Sequence, residues 1–207
     1  MALAAIPASA QQWSYDNGPI NGTTDAWAIN FGYIVSDTFV AGSSCSFCAF
    51  LSFSFGVWEF PGDTLTSVQW SITSGENSGT VYGSGIASGR LYLSDQYISA
   101  NQYGYNIDLV TVAFQDYPDL TSGTTYWLNL QNASVASGDP VYWDENSGVG
   151  CRSSNCPSSA SESALGTIPS EAFTIGNQFP EPSIILMFGS SALCLLGMRR
   201  RKGRNRA

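Results

Sequence analysis

The chain has 207 residues, with 8 Lys and Arg against 16 Asp and Glu, and no histidine. Six of the cations (Arg199, Arg200, Arg201, Lys202, Arg204 and Arg206) fall in the last nine residues, so the rest of the chain sets Arg90 and Arg152 against all the acids. Such a surface repels phosphate backbones, which excludes nucleic-acid binding by the folded part. The missing imidazole excludes Ser-His-Asp and Cys-His catalysis and His-ligated zinc.

Residues 1–10 read as the remnant of a signal peptide. Ala8-Ser9-Ala10 before Gln11 carries the small residues of a signal-peptidase site. The apolar stretch upstream, residues 2–6, is shorter than the usual run of about 7 to 15 and has no basic flank. The expectation is therefore that the true start lies further upstream.

Residues 11–178 form the body, rich in Gly, Ser, Thr and aromatics and without helical apolar spacing over any long stretch. Alternation dominates instead. Phe47, Ala49, Leu51, Phe53, Phe55 and Val57 share one side of a strand. Ser46, Cys48, Ser52, Ser54 and Gly56 take the other, and Phe50 and Trp58 break that polar face. Val68, Trp70 and Ile72 repeat the pattern, followed by Tyr105, Ile107 and Leu109, and then by Tyr126, Leu128 and Leu130 opposite Trp127, Asn129 and Gln131. Each is expected to be a strand with one wet face. Turn signals separate them at Pro61-Gly62-Asp63, Ser74-Gly75-Glu76-Asn77, residues 119–123, Ser137-Gly138-Asp139-Pro140 and Asn146-Ser147-Gly148. A Ser-rich loop over 153–163 and a last strand over 172–175 complete the body. Roughly eight to ten such strands predict an all-β antiparallel β-sandwich or jelly roll.

Four cysteines belong to this body: Cys45 and Cys48 as C-x-x-C, Cys151 and Cys156 as C-x-x-x-x-C. Disulfides are the first expectation, with Cys151 to Cys156 closing a loop and Cys45 to Cys48 pairing by remainder. A four-thiolate zinc site remains open as an alternative. A redox pair at Cys45 and Cys48 is disfavoured by strand-like flanks, since that chemistry places its thiolate at a helix N-terminus.

An enzyme without histidine would rely on paired carboxylates, for which Asp144 with Glu145 or Asp116 with Asp119 are the candidates. Neighbours on a strand point to opposite faces, and the E-x-D-x-E strand of sandwich-fold glycosidases is absent, so these acids read as solvated loop residues and the body as non-enzymatic. Trp127, Trp143, Tyr142, Tyr103 and Tyr105 are candidates for stacking sugar rings. Asp139, Asp144, Glu145 and Asn146 offer oxygen ligands suited to calcium in what reads as one loop.

Beyond the body, Pro180-Glu181-Pro182 precedes an uncharged run over 183–198 that contains Cys194, and the Arg cluster follows at once. The prolines hold the preceding residues extended, so a helix starts only at about Pro182. The sixteen-residue run makes a short transmembrane helix of roughly 24 Å, with the basic tail on the cytoplasmic side.

Pro180-Glu181-Pro182, the short span and the cluster beginning Arg199, Arg200, Arg201 together resemble the PEP-CTERM sorting signal of Gram-negative bacteria. The strings FPGDTLTSVQWSI (residues 60–72), YWLNLQNA (126–133), YWDENSG (142–148) and GTIPSEAFTI (166–175) resemble a β-sandwich body that recurs among PEP-CTERM proteins. The resemblance implies that residues 179–207 are a processing signal. An inner-membrane exosortase would read the tripeptide and remove the tail, and the body would pass to the cell surface or an exopolysaccharide matrix. It implies no catalytic residue. Two functions follow as expectations: an exported structural or glycan-contacting protein, and, as the alternative, a carboxylate-dependent hydrolase of exopolysaccharide.

Overall fold

The computed structural model describes residues 13–42, 52–114, 118–146 and 158–176. Ala8-Ser9-Ala10, the cysteines Cys45, Cys48, Cys151, Cys156 and Cys194, Asp116, the PEP motif, the apolar run and the basic tail lie outside the described residues.

Within them the protein is all-β. The strands are β1 (Trp13–Asp16), β2 (Ala26–Ala28), β3 (Ile34–Val40), β4 (Ser52–Glu59), β5 (Leu65–Gly75) and β6 (Ser78–Ser88). A single helical turn, α1 (Gly89–Tyr92), leads into β7 (Leu93–Ala100), β8 (Asn106–Ala113), β9 (Thr125–Val135), β10 (Tyr142–Asp144), β11 (Ala160–Glu162), β12 (Gly166–Ile168) and β13 (Phe173–Gly176). The count of thirteen exceeds the eight to ten expected because β1, β2, β10, β11, β12 and β13 have only three or four residues, too few for alternation to register. No helix among the described residues is long and apolar enough to cross a membrane.

The strands form two antiparallel sheets. The second runs β12-β11-β3-β9-β5-β6. In the first, β8 separates β7 from β4, and the other edge of β4 is shared: β10 pairs with its end, β13 with its beginning, and β2 and β1 flank them. The sheets face each other across one core, as in a β-sandwich. Phe53 and Phe55 of β4 meet Trp70 of β5 and Trp143 of β10 edge-on, at ring centroids of 6.1 and 5.9 Å. Tyr15 of β1 packs on Phe39 of β3 at 6.0 Å. Such edge-to-face pairs suit the ring quadrupoles and add to the burial of the largest side chains.

Val68, Trp70 and Ile72 face the core, as do Tyr126, Leu128 and Leu130. Three of the expected wet faces are altered: those of β4 and β8 are covered, and that of β9, where Trp127 and Gln131 stay half-exposed, is interrupted at Asn129. Every residue of β4 is buried, because residues 17–22 cross its outer side: a Cβ on Gly56 would sit 2.7 Å from Ile20 Cγ2 and 2.9 Å from Asp144 Cβ. In β8 the alternation runs in the opposite phase to that expected. Val110 and Val112 join the core, while Ile107 is buried on the outer face under Gly22. In β9, Asn129 is fully buried on the outer side. Its Oδ1 accepts from Ser36 Oγ (2.7 Å) and the Asn77 N–H (2.9 Å), and its Nδ2 donates to Thr73 Oγ1 (2.9 Å), which fastens the β5–β6 turn to the sheet.

Candidate functional site

The outer face of the first sheet gathers aromatic side chains from three neighbouring strands. Tyr142 of β10 pairs with Trp58 of β4, and Trp58 pairs with Ile107 of β8. Paired residues share a face, and Tyr105 lies two residues before Ile107, so Tyr142, Trp58 and Tyr105 stand side by side on one surface. Tyr105 meets Tyr142 edge-on at 5.7 Å and Phe60 at 5.0 Å. Tyr103 reaches the same surface from the β7–β8 turn and stacks on Trp58 at 5.7 Å with an interplanar angle of 19°.

Local chemistry holds that turn. Asn101 Oδ1 accepts the N–H groups of both Tyr103 and Tyr105 at 3.0 Å, the Asn101 N–H donates to the Tyr105 carbonyl at 2.9 Å, and Gly104 supplies the positive φ of 88°. The result is an open cleft of about 390 Å³ lined by Thr24, Asp25, Ala26, Trp58, Tyr103, Tyr105 and Tyr142. Tyr103 is 56% exposed at its rim, whereas Trp58 is only 5% exposed beneath it. Burial, and then the neighbouring Tyr105, raise the pKa of the Tyr142 hydroxyl.

The floor of the cleft is tied to a buried acid. Asp144 takes the Trp58 indole N–H (2.6 Å) and the Gly22 N–H (3.0 Å) on Oδ1, and the Asn21 N–H (2.8 Å) on Oδ2. Burial raises its pKa, and these three hydrogen bonds oppose the shift. Asp144 is thus a buried brace between β4 and the 20–22 segment, and the expectation of a solvated loop acid does not hold for it, whereas Asp119 is exposed as expected. Glu145 is buried as well, its backbone paired with that of Glu171 in an isolated antiparallel bridge, and its pKa is raised by burial and then by Asp25 and Asp144.

Three of the aromatic residues singled out in the sequence, Tyr103, Tyr105 and Tyr142, meet in the cleft. Trp143 does not: it is fully buried between Phe55 and Phe173 and donates to the Ala172 carbonyl at 3.0 Å. Trp127, alternating with the inward Tyr126 and Leu128, faces out of the second sheet. Nor do Asp139, Asp144, Glu145 and Asn146 form one loop. Asp144 ends a strand, the Asn146 N–H donates to the Ser170 carbonyl (2.7 Å), and Asp139 lies in the turn before β10, where its carbonyl accepts from Asn30 Nδ2 (3.0 Å). Trp58 and Asp25 were not anticipated. For Trp58 the signal was its interruption of the polar alternation in β4.

Acids also collect inside the sandwich, in two places. At one end, Glu59, Asp95 and Asp108 each place a carboxylate oxygen within 4.8 Å of the others. Burial, then Asp95, Asp108 and Asp63, push Glu59 up to about 8, and burial and Asp95 push Asp108 up to about 6. Elsewhere, Asp37 of β3 lies fully buried among Asn17, Ser158, Ser170 and Glu171. Burial pushes it up to about 7 against four opposing hydrogen bonds. Comparison of the chain with protein-family models, with curated proteins and with solved structures gives no match.

Proposed function

We propose that this is an exported protein of the cell surface or extracellular matrix, sorted and processed by exosortase through Pro180-Glu181-Pro182, whose body contacts glycan chains through the cleft of Trp58, Tyr103, Tyr105 and Tyr142. The observation that carries the glycan reading is the grouping of these four rings around one open cleft, with Asp25 beside them. Rings offer their faces to the C–H side of a pyranose while hydroxyl and carboxylate groups take its O–H donors. With a single Lys or Arg, Arg90, among the described residues, the surface suits uncharged glycans and disfavours anionic ones. The sorting reading rests on the order of tripeptide, apolar run and Arg cluster.

The alternative, a carboxylate-dependent hydrolase, needs two carboxyls about 5 to 9.5 Å apart that open on one cleft. Asp25 is the single acid among the residues lining this one, which favours binding over cleavage. Affinity electrophoresis through matrix polysaccharide tests the binding. Wild-type protein should be retarded, and Tyr103→Ala and Tyr142→Ala should each lose at least roughly tenfold in affinity, with circular dichroism unchanged. Equal retardation of all three proteins, or release of reducing sugar by the wild type, would overturn it. Intact mass of protein recovered from cells tests the sorting. A chain truncated beyond about Pro182 in the wild type, and full length in Glu181→Ala, is expected.

A further inference from the structure

We propose that Glu59, Asp95 and Asp108 bind one calcium ion between β4, β8 and β7 on the inner face of the first sheet, a site that goes beyond the glycan reading and does not depend on it. Strand pairing puts the three carboxylates there. Val57, a core residue, lies opposite Asp108, and Glu59 follows it by two positions, so both acids point inward. Asp95 lies opposite the core residue Val110 and points the same way.

One oxygen from each lies within 4.8 Å of the others. Two ligands of a single calcium ion, bound at about 2.3–2.6 Å, sit no more than about 5 Å apart, so the three oxygens fit one coordination sphere. A second observation is independent of the clustering. Glu59 is 0% exposed, and neither of its carboxylate oxygens has a hydrogen-bond partner. Asp108, 4% exposed, leaves Oδ1 unpaired. Asp95 uses Oδ2 to accept the Leu65 N–H at 2.7 Å and leaves Oδ1 unpaired.

Carboxylates taken out of water need a counter-charge or a proton. Arg90, exposed on α1, is the one Lys or Arg among the described residues. Without an ion a proton on Glu59 meets that need, and a cation held among the three oxygens would take its place. An all-oxygen carboxylate set selects a hard ion, and magnesium, which holds near-ideal octahedral geometry at about 2.0–2.1 Å and keeps its waters, fits less well than calcium.

The test uses the full chain, stripped with a chelator, then titrated with calcium chloride by calorimetry and followed by thermal denaturation. Binding of one ion per chain and a rise in Tm of roughly 5–10 °C at a hundredfold excess over Kd are expected. Glu59→Gln and Asp108→Asn should abolish both, while the stripped Glu59→Gln protein melts no lower than the stripped wild type, because the amide replaces a buried carboxyl that has no hydrogen-bond partner to lose. A structural role alone would not give that combination. Asp119→Asn, on an exposed turn, should behave as wild type. No heat and no Tm shift in the wild type up to about 10 mM calcium would overturn the proposal, as would a calcium shift that survives Glu59→Gln, or an equal shift with magnesium. Should the variants fail to fold, native mass spectrometry of the wild type still decides, since the proposal requires one bound calcium per chain.

Discussion

Raising the pH from 4.5 to 8 should destabilise this protein through Asp37. Its carboxyl is fully buried on the inner face of β3. Facing it are the neutral donors Asn17 Nδ2, Ser158 Oγ, Ser170 Oγ and the Glu171 N–H, and the Glu171 carboxyl stands nearby. Burial lifts its pKa from 3.8 to about 7. Between those values the unfolded chain has released the proton and the folded chain still holds it, so the unfolded state binds fewer protons and stability falls as pH rises. The full contribution is present below the unfolded pKa and is lost as pH passes through the folded one. At about 1.4 kcal/mol per pH unit over roughly 3 units, the loss is about 4 kcal/mol. Glu171 is raised well above its ordinary range by burial and then by Asp37, Glu145, Asp144 and Asp25, so its titration acts on stability in the same direction as that of Asp37. Urea denaturation at several pH values and constant ionic strength, on wild type and Asp37→Asn, isolates the residue, since the acids around Glu59 act alike in both. The amide mimics the protonated acid. The variant should lie within about 1 kcal/mol of wild type at pH 4.5 and exceed it by about 3–4 kcal/mol at pH 8. Parallel profiles, with Asp37→Asn the less stable throughout, would refute the reasoning by showing that Asp37 is ionised in the fold.

Trp58→Phe keeps a ring in the cleft but removes the donor to Asp144, leaving a buried acid with two backbone donors. Denaturation should show a loss of about 1.5–3 kcal/mol while affinity for a glycan changes little. Gly56→Ala places a methyl 2.7 Å from Ile20 Cγ2 and should cost about 1–3 kcal/mol, partly recovered by adding Ile20→Ala. Asn101→Ala frees the backbone donors of Tyr103 and Tyr105. It should weaken glycan binding severalfold while leaving the melting temperature within a few degrees, since the turn is exposed.

Strands whose two faces meet different surroundings were legible. Val68, Trp70 and Ile72 alternate with less buried residues, and they face the core. Alternation misleads where a chain segment covers the outer face. Along β8 and the residue before it, Tyr105, Ile107 and Leu109 make the odd side look apolar and Asp108 makes the even side look polar, yet the even side is the core. Alternation cannot rank two apolar faces. Nor does it expose a charge carried inward, such as Asp108 beside Glu59 and Asp95. Those three sit on separate strands, far apart in sequence, and no local motif joins them. The cleft was half legible for the same reason. Its tyrosines stood out as surplus aromatics, but Trp58 and Tyr142 become neighbours only through the β4–β10 pairing. Trp143, adjacent to Tyr142, points the other way and serves the core.

Trp58 and Glu59 are consecutive on β4, and alternation sends the indole into the cleft and the carboxylate into the sandwich. Asp108 of β8 likewise lies just beyond Tyr105, and β7, which carries Asp95, leads into the turn of Tyr103. An ion holding the three acids would therefore tie Glu59 and Asp108, beneath the ends of β4 and β8 that carry Trp58 and Tyr105, to the first half of β7. Sites on opposite faces of β4 and β8 should be coupled, and any such coupling is reciprocal: calcium should tighten glycan binding by the factor by which glycan tightens calcium. About fivefold is expected, the lower end for coupled sites, because pairing with β10 and β13 already orders much of β4. Calorimetric titration of glycan with and without calcium, and of calcium with and without glycan, measures both legs. Equal glycan affinity in chelator and in saturating calcium would show that the strand ends are rigid without the ion. A factor present in the wild type and absent in Glu59→Gln would place the coupling at the acids beneath the cleft.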